Sequence, residues 1–146
     1  MAHQIGVFIS HSWKYDDHYK TLREWIFDDS WNVNQVPLQF YDYSIPKDNP
    51  IHNSPNSRAL QDAIYGEIQK SHIIVIPMGL YSTYSQWIQK EIDGARAYRR
   101  PILAVNLWGQ ERKSSVVAEA ATEVVGWNKK PVVNGIWQLY RKYYNG

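Results

Sequence analysis

The chain has 146 residues, a net charge of +2 and no cysteine, which suits one domain over 1–146 burying about 70% of its unfolded surface and excludes a disulfide framework or a thiolate metal site. Its sixteen Lys and Arg are dispersed, with small clusters at Arg99-Arg100, Lys129-Lys130 and Arg141-Lys142, so the basic stripe of a nucleic-acid binder is missing. No apolar run is long enough to span a bilayer and Met1-Ala2-His3-Gln4 has no signal-peptide character, so the expectation is a cytoplasmic protein with no nucleic acid and no membrane as partner.

Ile5-Gly6-Val7-Phe8-Ile9 reads as a buried strand that opens into the polar loop Ser10-His11-Ser12. Asp16 or Asp17 can cap a helix in which Tyr19, Leu22 and Trp25 or Ile26 recur at helical spacing up to about Asp29. Leu38-Gln39-Phe40-Tyr41 is a second, weaker strand, followed by a long loop from Asp42 to Pro55; structureless loops of this length are usually functional or mobile. Asn56 or Ser57 caps a helix with Leu60, Ala63, Ile64 and Ile68 on one face, ending near Ser71.

His72-Ile73-Ile74-Val75-Ile76-Pro77 is the clearest strand, apolar on both faces as in the centre of a parallel sheet. A helix follows, and then a buried strand from Pro101 to Leu107, entered through a proline that cannot continue the helix. Val116 to Val125 reads as a short helix. Gly135 to Tyr144 reads as an amphipathic one with Trp137, Leu139 or Tyr140, and Tyr144 inward. The expected class is α/β, a flavodoxin-like open parallel sheet with helices on both faces. In strand order 2-1-3-4-5, ligands bind outside the carboxyl ends of the first and third strands. That crevice is flanked by Ser10-His11-Ser12-Trp13 on one side and by Tyr81, Ser82, Tyr84 and Ser85, leading to Trp87 and Glu91, on the other.

Within Tyr84-Ser85-Gln86-Trp87-Ile88-Gln89-Lys90-Glu91, Trp87 and Glu91 are four apart and share one helix face. The residues three and four from Glu91 are Trp87, Ile88, Gly94 and Ala95, none of them basic. The carboxylate therefore turns outward to water or sits desolvated, and desolvation raises a carboxylate pKa as at many functional sites.

Several chemistries are excluded. The glycines form neither GxGxxG nor a P-loop. The first strand closes on Ser10-His11 and the third on Pro77-Met78, so the acidic groups of a phosphate-accepting receiver are missing. The histidines at 3, 11, 18, 52 and 72 lack metal-ligand spacing, and Ser85 without a His and Asp pair reads as a helix cap.

One carboxylate beside an aromatic ring suits the breaking of an N-glycosidic bond. A glycosidase with an alkoxide leaving group needs two carboxylates. The nicotinamide of NAD is a pyridinium that leaves neutral, so one Glu can position the ribose, stabilise its developing charge or attack it. Trp87 would wall the ring or ribose, and Ser10, Ser12 and nearby backbone amides could hold phosphates or the ribose edge.

The residues resemble a known family. Phe8-Ile9-Ser10-His11-Ser12 looks like the opening strand and box of a Toll/interleukin-1 receptor (TIR) domain, and Ser85-Gln86-Trp87-Ile88-Gln89-Lys90-Glu91 resembles the Ser-x-Trp-Cys-x-x-Glu segment of TIR enzymes that cleave NAD. The order of elements agrees over about residues 3 to 107, and Val7 to Ser12 with the following helix and loop looks like the TIR-like subunit of the Thoeris anti-phage system. Ile88 replaces the usual Cys, and the loop from Asp42 to Pro55 is no copy of the standard one.

The resemblance implies Glu91 as the catalytic residue and Phe8, Ser10, His11, Ser12, Asp42, Ser44, Tyr84, Ser85 and Trp87 as substrate-binding. It implies NAD as a substrate with no cofactor and no metal. It also implies an ADP-ribose-derived signal, commonly cyclic, a separate effector reached through that signal, a phage-derived trigger, and a homo-oligomer. A non-catalytic TIR-like interaction module and a nucleoside deoxyribosyltransferase-like enzyme stay open as alternatives: NAD consumption, nucleobase exchange, or neither, separates the three.

Overall fold

The computed structural model describes residues 3–10, 16–28, 30–33, 35–45, 57–78, 86–106 and 115–144. In chain order the elements are β1 (His3–Ile9), α1 (Asp16–Phe27), β2 (Trp31–Val33), β3 (Val36–Asp42), α2 (Ser57–Lys70), β4 (Ile73–Met78), α3 (Gln86–Ala97), β5 (Ile102–Asn106), α4 (Ser115–Ala120), β6 (Glu123–Gly126) and α5 (Lys129–Tyr144). The described residues form a six-stranded sheet ordered β2-β3-β1-β4-β5-β6. Every pairing is parallel except that of β2 with β3. Leaving β2 aside, this is the expected order, with its reversal of winding between β1 and β4.

The central strands are apolar because both faces are covered. Ile5, Val7, Ile9, Ile73, Val75, Leu103 and Val105 pack against Leu22 and Ile26 of α1 and Val132, Ile136 and Trp137 of α5. The alternate residues Phe8, Ile74, Ile76, Met78, Ile102 and Ala104 pack against Ile64 and Ile68 of α2, Trp87, Ile88, Ile92 and Ala95 of α3, and Val117 of α4. The period-2 alternation of each strand thus feeds two separate cores, one per face.

Three sequence expectations need correction. The β2 strand was not anticipated: its three residues make only the hairpin Trp31↔Leu38, Asn32↔Pro37 and Val33↔Val36, and the turn bends through Gln35 at φ 68°, without the glycine that usually marks such a turn. The segment Val116 to Val125 is not one helix. After a six-residue α4 the chain turns at Ala121 and Thr122 and runs as β6, which suits the β-branched pair Val124-Val125. Thr122 secures the change by exchanging hydrogen bonds with Ile102, its N–H donating to the carbonyl at 2.8 Å and its hydroxyl accepting from the N–H at 3.1 Å.

Finally, α5 starts at Lys129, not at Gly135. Val132 N–H donates to Asn128 O, and Pro131 falls in the first turn, where a missing N–H costs nothing. Gly135 is interior because a Cβ there would lie 3.0 Å from Leu103 Cδ1 and 3.2 Å from Val125 Cγ1. The glycine marks a close helix-to-sheet approach rather than a boundary.

Among the described residues no helix is long and apolar enough to cross a membrane.

Candidate functional site

The carboxyl edge of β1 is held from both sides. On the β4 side, Ser10 N–H donates to Val75 O at 2.8 Å and carries the parallel ladder one step past the strand. On the β3 side, the Cα register ends at Val7↔Asp42, so the next free donor, Ile9 N–H, needs another acceptor. The Ser44 hydroxyl accepts it at 2.8 Å, and Ser44 N–H in turn donates to Asp42 Oδ1 at 2.9 Å. This Asx-type turn folds the chain after β3 over β1. It brings Ile45 into the core on the α2/α3 face.

Tyr19 of α1 reaches the same turn. Burial first and the Asp42 carboxylate second push its phenol up to about 12, so it stays a neutral hydroxyl beside Ser44 and Asp42. Arg23, one turn further along α1, lies 3.6 Å from Asp42. Asp42 and Ser44, expected to bind substrate, here brace the backbone that presents Ser10.

By strand alternation Ser10 falls on the face of Phe8, toward α3. Glu91 stands in the second turn of α3, whose buried residues Trp87, Ile88, Ile92 and Ala95 hold the helix against the sheet. The two side chains meet: Ser10 Oγ donates to Glu91 Oε1 at 2.7 Å in a buried contact. Glu91 is 0% exposed. Of the two alternatives open from sequence, the carboxyl is therefore desolvated, not turned outward.

Burial pushes its pKa up to about 8, opposed by the Ser10 hydroxyl and then the Trp87 indole. The indole N–H acts on the carboxylate without meeting strict hydrogen-bond geometry. Among the described residues no cation pairs with Glu91, and its second oxygen, Oε2, is buried with no hydrogen-bond partner. Desolvation favours the protonated form of such a group, and a ligand carrying positive charge would shift it toward the ionised one.

Trp87 is 7% exposed and Phe8 1%, so both are core residues in this state, packed in the same cluster as Ile88. His11, Ser12, Tyr84 and Ser85 lie outside the described residues. Asn106, which sequence reading passed over, closes β5 at the same carboxyl edge, with its Oδ1 buried and without a partner. The available signal was a polar residue ending the otherwise apolar run Ile102 to Val105.

No group of three or more His, Asp or Glu able to hold a metal occurs among the described residues. His72 is instead structural. Its Nδ1 accepts the Gly6 N–H at 2.9 Å, which requires that nitrogen to be unprotonated, and burial first and Arg100 second lower its pKa. A depression of about 430 Å³ opens away from Glu91, at the β2–β3 edge beside Phe27, Trp31 and Phe40. Its lining holds no ionisable side chain.

Structural comparison shows what this fold is similar to. A Clostridium botulinum CMP N-glycosidase, BcmB, aligns with a TM-score of 0.55 at 12% identity, covering 91% of this chain and 98% of that one. Translation elongation factor SelB from Methanococcus maripaludis aligns with a TM-score of 0.54 at 10% identity, covering 100% of this chain but 36% of that one. At such identities the likeness is one of fold alone. Comparison with curated protein sequences returns no significant match. The sequence does match, over residues 8–112, the profile of the family described as Thoeris protein ThsB, TIR-like domain. That span runs from the end of β1 through α3 to just beyond β5 and takes in both Ser10 and Glu91, and the chain belongs to this Thoeris TIR-like family.

Proposed function

We propose that the chain cleaves the nicotinamide–ribose bond of NAD and converts the remainder into an ADP-ribose-derived signal, cyclic in its principal form, that activates a separate effector. Membership of the Thoeris family implies an anti-phage system with such an effector. The observation that carries the chemistry is Glu91: fully buried, held by Ser10 at 2.7 Å through one oxygen, with the other lacking any partner.

A single carboxylate of this kind matches a substrate whose leaving group departs neutral. As the C–N bond breaks, its electron pair goes to the pyridinium nitrogen, and the positive charge passes to the ribose. Glu91 needs only to face that charge, and in a water-poor site the stabilisation is large. The pyridinium also lowers the Glu91 pKa as it binds, so substrate ionises the group that acts on it. The resting carboxyl is buried, and desolvation favours its protonated form, which suits an enzyme that stays silent until triggered. A fold shared with a CMP N-glycosidase is compatible with cleavage of an N-glycosidic bond, but the proposal stands on Glu91.

Cyclisation is favoured over hydrolysis because a nucleophile on the ADP-ribose itself attacks the anomeric carbon intramolecularly, with the corresponding gain in effective concentration. The test is mass spectrometry of small molecules from phage-infected cells expressing the wild type or Glu91→Gln. A cyclic ADP-ribose species that is present only with the wild type, and whose filtrate activates the effector, is the expected result. Linear ADP-ribose alone would replace the signalling enzyme with an NAD-depleting one. Unchanged NAD in the wild type would remove the enzymatic reading.

A further inference from the structure

We propose that Asn106 is a substrate-positioning residue of this site, its side-chain oxygen accepting a hydrogen bond from the carboxamide N–H of the departing pyridine ring. The proposal rests on the NAD-cleaving reading above and extends it to the recognition of the leaving group.

Three observations place Asn106 there. Its Cα is in register with Met78, at the carboxyl end of β4, so it stands at the edge of the sheet that Ser10 extends. Strand alternation puts it on the face of Ile102 and Ala104, and these pack in the cluster that includes Trp87 and Ile88 of α3. Ser10, Met78 and Asn106 thus look toward the same helix layer from three neighbouring strands. Finally, Asn106 Oδ1 is buried with no hydrogen-bond partner, as is Glu91 Oε2, so two unpaired buried oxygens lie on the same face of the sheet. Burying an unpaired acceptor costs about 1–3 kcal/mol, a penalty that a ligand donor would relieve.

Chemistry narrows the donor. Phosphate oxygens carry no hydrogen to give, so the pyrophosphate is excluded. The ribose hydroxyls lie beside the anomeric carbon and fall to Glu91. Ser10 is level with Ile76 and Ala104, so Asn106 lies two strand spacings across and two residues further along, about 12 Å away between backbones, which sets it beyond the sugar. The carboxamide of the ring attached to that sugar is the nearest N–H group at such a reach, whereas the adenine amine is removed by a second ribose and two phosphates. A side-chain amide also complements a carboxamide on both its edges, accepting from the N–H and donating to the carbonyl.

The test compares kcat/KM of the wild type, Asn106→Ala and Asn106→Asp on three substrates: NAD; 3-acetylpyridine adenine dinucleotide, in which a methyl replaces the carboxamide NH2; and nicotinamide hypoxanthine dinucleotide, which lacks the adenine amine. Taking the NAD-to-analogue ratio within each protein and comparing it between proteins cancels the difference in leaving-group ability. In the wild type the ratio for the acetylpyridine analogue should exceed that in Asn106→Ala by about 10-fold or more. Asn106→Asp, which keeps an acceptor, should recover part of it. The thermal unfolding temperature of Asn106→Ala should not fall, because Oδ1 has no protein partner to lose and its unpaired burial is relieved. A ratio that survives in Asn106→Ala while the wild type cleaves NAD overturns the assignment of Asn106 and leaves the NAD reading intact. Loss of discrimination against the hypoxanthine analogue instead also overturns it, moving the contact to adenine. A wild type that cleaves no NAD overturns both.

Discussion

Ser10 Oγ donates to Glu91 Oε1 at 2.7 Å, tying the end of β1 to the second turn of α3 across a sequence separation of 81. The bond favours the ionised carboxylate, while burial favours the protonated one and wins, leaving the pKa at about 8. If Glu91 works ionised, kcat/KM should rise with pH to a limb near 8, falling about tenfold per unit below it, while the limb in kcat should lie lower because bound pyridinium favours the charge. Ser10→Ala should move the kcat/KM limb upward and reduce activity at pH 7 by about tenfold. Equal loss at every pH would mean that Ser10 acts on something other than Glu91.

The same shift predicts a stability signature that needs no substrate. Between the ordinary value of 4.5 and about 8 the folded state holds a proton that the unfolded chain has released. Stability carried by Glu91 should therefore be full below the lower value and decline as pH rises through this window, by up to a few kcal/mol. Glu91→Gln cannot titrate, so its melting temperature relative to the wild type should climb from pH 5 to pH 9. A constant difference across that range would show that Glu91 is not buried as described.

Trp87 combines a core position with an indole that acts on Glu91, and two substitutions separate the roles. Trp87→Ala should cost about 3–5 kcal/mol of stability by opening a cavity. Trp87→Phe should cost far less yet raise the pH limb of kcat/KM, having lost the N–H. Should the phenylalanine variant instead show a raised KM with an unmoved limb, Trp87 is a substrate wall, as its place beside Glu91 in the sequence led us to expect.

Gly135→Ala inverts the usual helix rule. Alanine in a helix interior is normally worth up to about 1 kcal/mol over glycine. At Gly135 the new methyl would meet Leu103 at 3.0 and 3.3 Å and Val125 at 3.2 Å, on two different strands, so no single rotamer change relieves it. Chemical denaturation should show a net destabilisation of about 1 kcal/mol or more. A stabilised variant would mean that α5 can move away from the sheet freely.

The sequence alone determined what depends on neighbours along the chain. The apolar runs of β1, β4 and β5 and the helical spacing of Leu22 and Ile26 or Ile64 and Ile68 are local patterns, and they specified the α/β class, the order of the main elements and the crevice edge. The lack of a basic residue one turn from Glu91 was legible for the same reason. What required tertiary structure was everything settled by residues far apart in sequence. The three-residue β2 and the exposed β6 are too short for their own periodicity and exist because β3 and β5 offer edges to pair with. Gly135 looked like a helix start until Leu103 and Val125 gave it neighbours. Whether Glu91 faced water or protein could not be read from its helix, since α3 has both kinds of face. Packing of that helix over the end of β1 decided it, by supplying a hydroxyl from Ser10 and by removing the solvent that would have kept the carboxylate charged.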